Sequence, residues 1–303
     1  MLLGSMKANT DIEQYMSKLS GLLIIVWRCN NHVFTVQWKS EHNVHLSSDS
    51  CTYSISAMCI LPSGQVLVAD GNNRKIKLLN EQYRVVDHLV YDMLMGHRYA
   101  KDMCMITPRE VAVAVHCYIY MHKDSSVVQF ITVTQGKLEL VQGRNLQLQH
   151  GCRGIAHHQG ELFICSGSVL YKYSLSGKMI SKLYQDRSID RCVVSPTGDK
   201  LYIINRLQHK LLTLARDGTL VATLTFPAVE SPQDVHVTPA CQVLLICGMQ
   251  ILQIDSEGRS KLATLVTDRD GVYFPLSVCF SSTTSSIIVG MLMNNNIMVF
   301  RVK

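Results

Sequence analysis

Four segments of this 303-residue chain carry the same local signal. They are Thr134-Gln-Gly-Lys-Leu-Glu-Leu, Leu175-Ser-Gly-Lys-Met-Ile-Ser, Arg216-Asp-Gly-Thr-Leu-Val-Ala-Thr and Ser256-Glu-Gly-Arg-Ser-Lys-Leu-Ala-Thr. Each sets one or two polar residues and a glycine ahead of an extended run. Each also follows an apolar stretch, beginning at Phe130, Leu170, Leu211 or Ile251. This is a β-hairpin signature, because glycine supplies the positive φ that a tight turn needs. A hairpin recurring along a chain signals a repeat architecture, which constrains the fold more than any single residue does.

A second landmark precedes each hairpin: apolar strand, turn with proline or glycine, apolar strand. Met58-Cys-Ile-Leu-Pro-Ser-Gly-Gln-Val-Leu-Val-Ala and Cys192-Val-Val-Ser-Pro-Thr-Gly-Asp-Lys-Leu-Tyr-Ile-Ile are examples. Equivalent turn positions fall at Pro62, Pro108, His158, Pro196, Pro239 and Thr283. Their period of about 40–45 residues is that of four short strands forming a propeller blade. Six such copies fill positions 55–303, and the sixth stops after its third strand, Asn296-Ile-Met-Val-Phe-Arg-Val. An unpaired edge is a liability that closure removes, so an outer strand is expected from His32-Val-Phe-Thr-Val-Gln or from Asn43-Val-His-Leu.

The expected fold is therefore all-β, a closed six-bladed β-propeller with a short N-terminal helix. Thr10 and Glu13 form a capping pattern, and Ile12, Met16 and Leu19 repeat at helical spacing over residues 11–19. Residues 1–30 read as a helical and linker segment, 31–54 as a linker carrying the closing strand, and 55–303 as the propeller.

Composition narrows the setting. Hydrophobic residues make up 47% of the chain and charged residues only 17%, which suits strands packed on both faces. No apolar run reaches membrane-spanning length, and the start lacks the charged region and long apolar core of a secretory leader. The eleven cysteines are scattered, with no Cys-x-x-Cys, which gives zinc-ribbon and thioredoxin-type sites no support. Cys104, Cys192 and Cys279 share one place in the repeat, as buried inert thiols do, and a reducing, cytoplasmic compartment is expected.

At Leu61-Pro-Ser-Gly-Gln-Val-Leu-Val-Ala-Asp-Gly-Asn-Asn-Arg-Lys-Ile-Lys-Leu-Leu the chain resembles an NHL repeat. Nearly the whole chain is similar to the NHL propeller of tripartite-motif proteins, especially the divergent set of bivalve molluscs. That resemblance implies the substrate-recognition end of a ubiquitin ligase. The family's RING, B-box and coiled coil are absent, so no ubiquitin transfer by this chain alone is expected. The third copy departs from the pattern with Ser166-Gly-Ser, and the fifth is shortened at Cys247-Gly-Met-Gln-Ile. WD40 blades would need repeated Trp-Asp pairs, whereas the only tryptophans, Trp27 and Trp38, precede the ring.

In a propeller, the loops after each second strand share one face with the connections between blades. The candidate binding face carries Arg74, Lys75, His97, Arg98, Lys101, Lys123, Arg153, Arg191, Arg206, Lys210, Asn294 and Asn295. With a net charge of +6 this face is expected to take a protein partner, with single-stranded RNA as the alternative. Stacking aromatics for RNA would be Tyr99 and Tyr273. The sequence implies no cofactor, no membrane partner and no small-molecule substrate. A metal-dependent hydrolase or lyase would have to draw ligands from His157, His236, Asp70, Asn205 and His116, which follow no ligand spacing.

Overall fold

The computed structural model describes residues 32–91, 97–118 and 126–303, with the backbone alone for His97, Arg98, Cys117 and Tyr118. The helix expected over residues 11–19 lies outside them. The described residues hold strands and one 3-10 turn, Asp268–Asp270, and no α-helix.

Strand β1 (Val36–Asn43) comes first, and a four-stranded antiparallel sheet follows: β2 (Ile55–Ile60), β3 (Val66–Asp70), β4 (Lys75–Leu79) and β5 (Val85–Val90). The second sheet is β6 (His97–Thr107), β7 (Glu110–Tyr118), β8 (Val127–Thr134) and β9 (Lys137–Gln147). Then come β10 (Gly154–His158), β11 (Glu161–Cys165), β12 (Gly167–Ser174), β13 (Met179–Val194), β14 (Lys200–Asn205), β15 (Lys210–Ala215) and β16 (Leu220–Thr225), joined in one seven-stranded sheet. Another four-stranded sheet comprises β17 (Pro232–Val237), β18 (Val243–Cys247), β19 (Gln250–Ile254) and β20 (Lys261–Val266). In the last sheet, β21 (Pro275–Ser281), β22 (Ser286–Met291) and β23 (Asn296–Val302) take β1 as their outer strand.

Inner strands meet around a central channel in the order β2, β6, β10, β13, β17, β21 and back to β2. This arrangement is a β-propeller. Its core is divided into apolar layers between neighbouring sheets. Leu67, Val113 and Ile131 lie in the layer between the first two sheets, and Leu244, Ile287 and Val289 in that between the last two. Each such fully buried side chain stabilises by about 1.5–3 kcal/mol.

The structure corrects the expectation of six separate blades. Four sheets are discrete four-stranded blades, and the third and fourth copies are fused through β13. The reason is local. Within residues 55–303 the other four connections between consecutive copies contain glycine or proline, at Gly96, Gly151, Pro227 and Gly271, whereas residues 179–195 contain neither. The chain stays extended, and Ile189 pairs with Gly167 of β12 on one side and Asn205 of β14 on the other. Ser188, at φ 63°, marks the bend where β13 passes from one copy to the next.

The recurring glycines sit where hairpins demand them, with Gly136 at φ 75° and Gly218 at φ 95°. They differ in surroundings. A Cβ on Gly136 would meet nothing within 4 Å, but one on Gly218 would stand 2.2 Å from the backbone oxygen of Leu183 on β13. Turns after first and third strands pair at one end of the ring, as in Val133 N to Arg109 O (2.8 Å) and Arg216 N to Asp199 O (3.0 Å). We call this the turn end. Loops after second strands bond to the inter-sheet connections at the other, the loop end, as in Phe226 N to His209 O (2.8 Å) and Leu292 N to Phe274 O (3.0 Å).

Ring closure rests on the apolar layer shared by the first and last sheets, with Ile55 and Val68 against Cys279 and Ile288, and on two further contacts. β1 runs antiparallel to β23, from Val36 opposite Val302 to Asn43 opposite Asn296. Of the two segments proposed for this strand, His32–Gln37 overlaps β1 at its last two residues and Asn43–Leu46 only at its first. The chain then reaches Asp49, whose side chain is 1% exposed and joins β1's exit to the first sheet. Its carboxylate accepts from Lys75 Nζ (2.6 Å), Lys77 Nζ (2.7 Å), Tyr53 Oη (2.5 Å) and the Leu46 N–H (2.8 Å). These donors hold the Asp49 carboxyl well below the usual carboxylate range against the burial that would raise it. Lys77, wholly buried, also meets Asp70 Oδ2 at 3.1 Å.

Two predictions follow from this packing. Gly136→Ala should cost about 1–2 kcal/mol, the left-handed penalty alone, and Gly218→Ala clearly more, measured by urea unfolding. Equal losses would show that Leu183 yields freely. Asp49→Ala leaves two buried ammonium groups short of a carboxylate and should cost about 3–5 kcal/mol. A loss under 1 kcal/mol in the same assay would remove Asp49 from the closure.

Candidate functional site

The inner strands enclose a cavity of about 570 Å³. Met58, Cys59, Met103, Cys104, Ile155, Val193 and Val278 give it a soft apolar wall, and His157 and His236 also line it. Leu61, Pro62, Pro239, Ser282 and Thr283 belong to turns after first strands, so the mouth is at the turn end. Cys104, Cys192 and Cys279, expected as core thiols, are part of this wall. Burial raises the thiols of Cys104 and Cys279 well above their ordinary range, and that of Cys59 to about 12. They remain protonated and unreactive.

Towards the loop end the channel is plugged by Arg191. Its guanidinium donates to Ser56 O (2.8 Å) on β2, to Arg153 O (3.3 Å) ahead of β10, and to Lys101 O on β6. It stands 3.5 Å from Asp102 Oδ1 and 3.7 Å from Asp234 Oδ1. The other oxygens of those carboxylates tie neighbouring strands together. Asp102 Oδ2 accepts from Ile155 N (2.9 Å) and Asp234 Oδ2 from Val278 N (2.9 Å). One guanidinium thus faces two carboxylates in a poorly solvated place. Burial raises both carboxyls, Asp234 to about 7 with Asp102 adding to the rise, while Arg191 opposes it. His236, two residues from Asp234 on β17, makes no hydrogen bond to any described residue, and burial lowers its imidazole to about 4.

The residues nominated for a binding face are distributed unevenly. Lys75 is buried against Asp49, and Arg191 is the channel plug. Arg153 Nη1 pairs with Asp190 Oδ1 at 2.7 Å, and Lys101 lies over the Tyr99 ring at 5.6 Å. Burial lowers the Lys101 ammonium, Arg191, Arg153 and Arg206 add to the fall, and Asp190 opposes it. Arg206 is exposed, and Lys210 donates to Gln208 Oε1 (2.9 Å). Arg74 occupies a loop-end turn at φ 53°. Asn294 caps its own turn by accepting from Asn296 N (2.9 Å), and Asn295 O accepts from Val44 N (2.9 Å). Lys123 and the side chains of His97 and Arg98 lie outside the described residues.

The metal candidates do not converge. Asp70 is engaged by Lys77, Asn205 Nδ2 donates to Asp186 Oδ2 (3.0 Å), and His116 meets Ser126 Oγ (3.1 Å). Among the described residues no three His, Cys, Asp or Glu side chains come together as a metal site.

The loop end also carries large apolar side chains, of which the sequence nominates only Tyr273. Leu207, Val229, Met249, Tyr273, Phe274 and Met293 are exposed, at 72% for Leu207, 87% for Val229 and 73% for Met293. All lie on loops or connections of β14 to β23. Hydrogen bonds join these loops in two groups, through Ser231 Oγ to Arg206 O (3.3 Å) and Gly248 N to Ser231 O (3.1 Å), and through Leu292 N to Phe274 O (3.0 Å). Phe274 (φ 49°) and Met293 (φ 57°) hold left-handed backbone, a conformation costly for large side chains.

The channel plug also makes a pH signature. Asp234, raised from 3.8 to about 7, contributes stability that is present below its unfolded value and lost as pH rises to about 7. His236, lowered from 6.5 to about 4, contributes stability that is present above 6.5 and lost as pH falls towards 4. The slopes oppose each other across one window. In Asp234→Asn, Asp102 pairs Arg191 one to one, so stability should rise with pH between 4 and 6.5 more steeply than in the unmodified chain. His236→Gln should show the reverse tilt. Unaltered slopes in denaturant titrations at several pH values would reject these assignments.

No family model matches the sequence, and no curated protein matches it. Solved structures match the fold. One is a structural genomics protein of unknown function from Bacteroides thetaiotaomicron VPI-5482, with TM-score 0.62, 10% identity and coverage of 88% of this chain and 77% of that one. Another is virginiamycin B lyase from Staphylococcus aureus, with TM-score 0.58, 10% identity and coverage of 89% and 99%. A protein of unknown function from Bacteroides caccae has TM-score 0.55, 11% identity and coverage of 72% and 83%. At such identities the likeness is one of fold, and the fold these comparisons share with the chain is a β-propeller.

Proposed function

We propose that this propeller is a non-enzymatic recognition module that takes a protein partner on its loop end. The observation that carries the reading is the exposure of Leu207, Val229, Met249, Tyr273, Phe274 and Met293 on loops of one end of the ring. Large apolar side chains gathered on one end of a folded domain, within a polar surround, are what a protein interface needs at its centre. Two are aromatic, the type that most often anchors binding energy. Exposed Arg206 and Arg269 stand at the rim and favour a partner segment with carboxylates beside its apolar anchors. The resemblance to NHL propellers of tripartite-motif proteins is consistent with this end selecting a substrate, with any ligase domain supplied elsewhere.

RNA is less well supported. Phosphate contacts require available cations, and Lys75, Arg153 and Arg191 are already engaged by carboxylates.

The test compares proteins captured from homologous lysate by the immobilised chain, by Leu207→Asp/Phe274→Asp, and by the turn-end control Arg109→Asp. A partner held by the first and the control should fall at least tenfold on the double variant. Equal capture by all three would refute the assignment. Loss of capture by ribonuclease, or a steep decline between low and moderate salt, would transfer it to RNA.

A further inference from the structure

The cavity and its closed end carry a second, separate site. Its volume of about 570 Å³ lies in the range of small-molecule pockets, and its wall is apolar. Asp102 and Asp234 line the inner end, with Arg191 beyond them. Among the described residues Arg191 is the cation set against these two carboxylates, since Arg153 pairs with Asp190 at 2.7 Å and Lys101 lies over the Tyr99 ring at 5.6 Å. Two carboxylates share one guanidinium where solvent screens poorly. Asp234 Oδ1, 3.7 Å from Arg191 Nε, is beyond hydrogen-bond length of it. The His236 side chain projects from the same face of β17 with no hydrogen-bond partner among the described residues, and its neutral ring offers one donor and one acceptor.

We propose that the cavity binds a compact organic cation, a protonated amine on an apolar body, admitted from the turn end. The ammonium group stands against Asp234, opposite Arg191, and gives its Oδ1 the close charged donor that Arg191 does not. His236 takes a hydrogen bond from the ligand, and Met58, Met103, Val193 and Val278 pack its apolar body. Carboxylates and phosphates are rejected by the two aspartates. A neutral ligand of the same shape brings no charge to Asp234. Ligand and proton compete for Asp234, so binding should weaken as pH falls below about 7 and should release a proton there. Asp102 and Arg191 face that carboxyl from β6 and β13, and His236 flanks it on β17.

The experiment uses 3-phenylpropylamine as the probe, with 3-phenylpropan-1-ol and 3-phenylpropanoate as neutral and anionic matches. Each is titrated calorimetrically into the full chain at pH 7.5 and at pH 6. The amine should bind at least tenfold more tightly than the alcohol, and the carboxylate not measurably. The amine's affinity should be lower at pH 6. Asp234→Asn keeps an acceptor for the Val278 N–H and should weaken the amine at least tenfold without changing the alcohol. Val193→Phe narrows the cavity from another strand, keeps Asp234, and should weaken both. Equal affinity for amine and alcohol overturns the proposal, as does amine binding unchanged by both Asp234→Asn and Val193→Phe, or no amine binding up to millimolar concentration. Because Leu207 and Phe274 lie at the other end, their double variant should bind the amine as the unmodified chain does.

Discussion

A propeller keeps its shape only while its last sheet is held to its first, and here a buried carboxylate adds to the apolar layer between them. β1 completes the last sheet by pairing with β23. Asp49 then fastens the departing chain to Lys75 and Lys77 of β4. An outer strand exposed along most of its length has little apolar surface to hold it, and two buried lysines without a carboxylate would disfavour the fold. With the apolar layer, these contacts convert a row of sheets into a ring, and only a ring has a channel.

Within that ring the two ends have separate chemistry. Arg191 crosses the channel to backbone oxygens near three other inner strands and blocks it below the loop end. The loop end then presents a surface, and the turn end presents a hole. The arginine that closes one side also fixes the electrostatics of the other, because its single charge is divided between Asp102 and Asp234. The two ends are therefore separable by mutation, with one buried ion group between them.

The parts legible in the sequence were those encoded locally. Gly136, Gly177, Gly218 and Gly258 announced hairpins, and all four have positive φ. Turn prolines gave the period. Long-range contacts were illegible. Lys75 read as a surface cation because its partner Asp49 lies 26 positions away, and Arg191 because its acceptors lie up to 135 positions away. A weaker signal is present: Asp102, Arg191 and Asp234 come six, five and five residues before Pro108, Pro196 and Pro239, inside apolar first strands where a charge needs a partner. β1 lacked apolar alternation because an edge strand faces solvent on both sides. The fused sheet was hidden for another reason. A missing turn is the absence of glycine and proline over residues 179–195, and periodicity counts landmarks rather than gaps.

The strand that belongs to two copies has a consequence for how such a chain can change over generations. Repeat proteins commonly gain or lose whole units, since each unit brings its own strands. β13 closes the third copy and opens the fourth without a joint between them. Deleting or duplicating either one would strip its neighbour of an edge or leave a strand unpaired. At this position the copy number is frozen, and variation is channelled into the loops, where recognition can drift while the ring stays the same size.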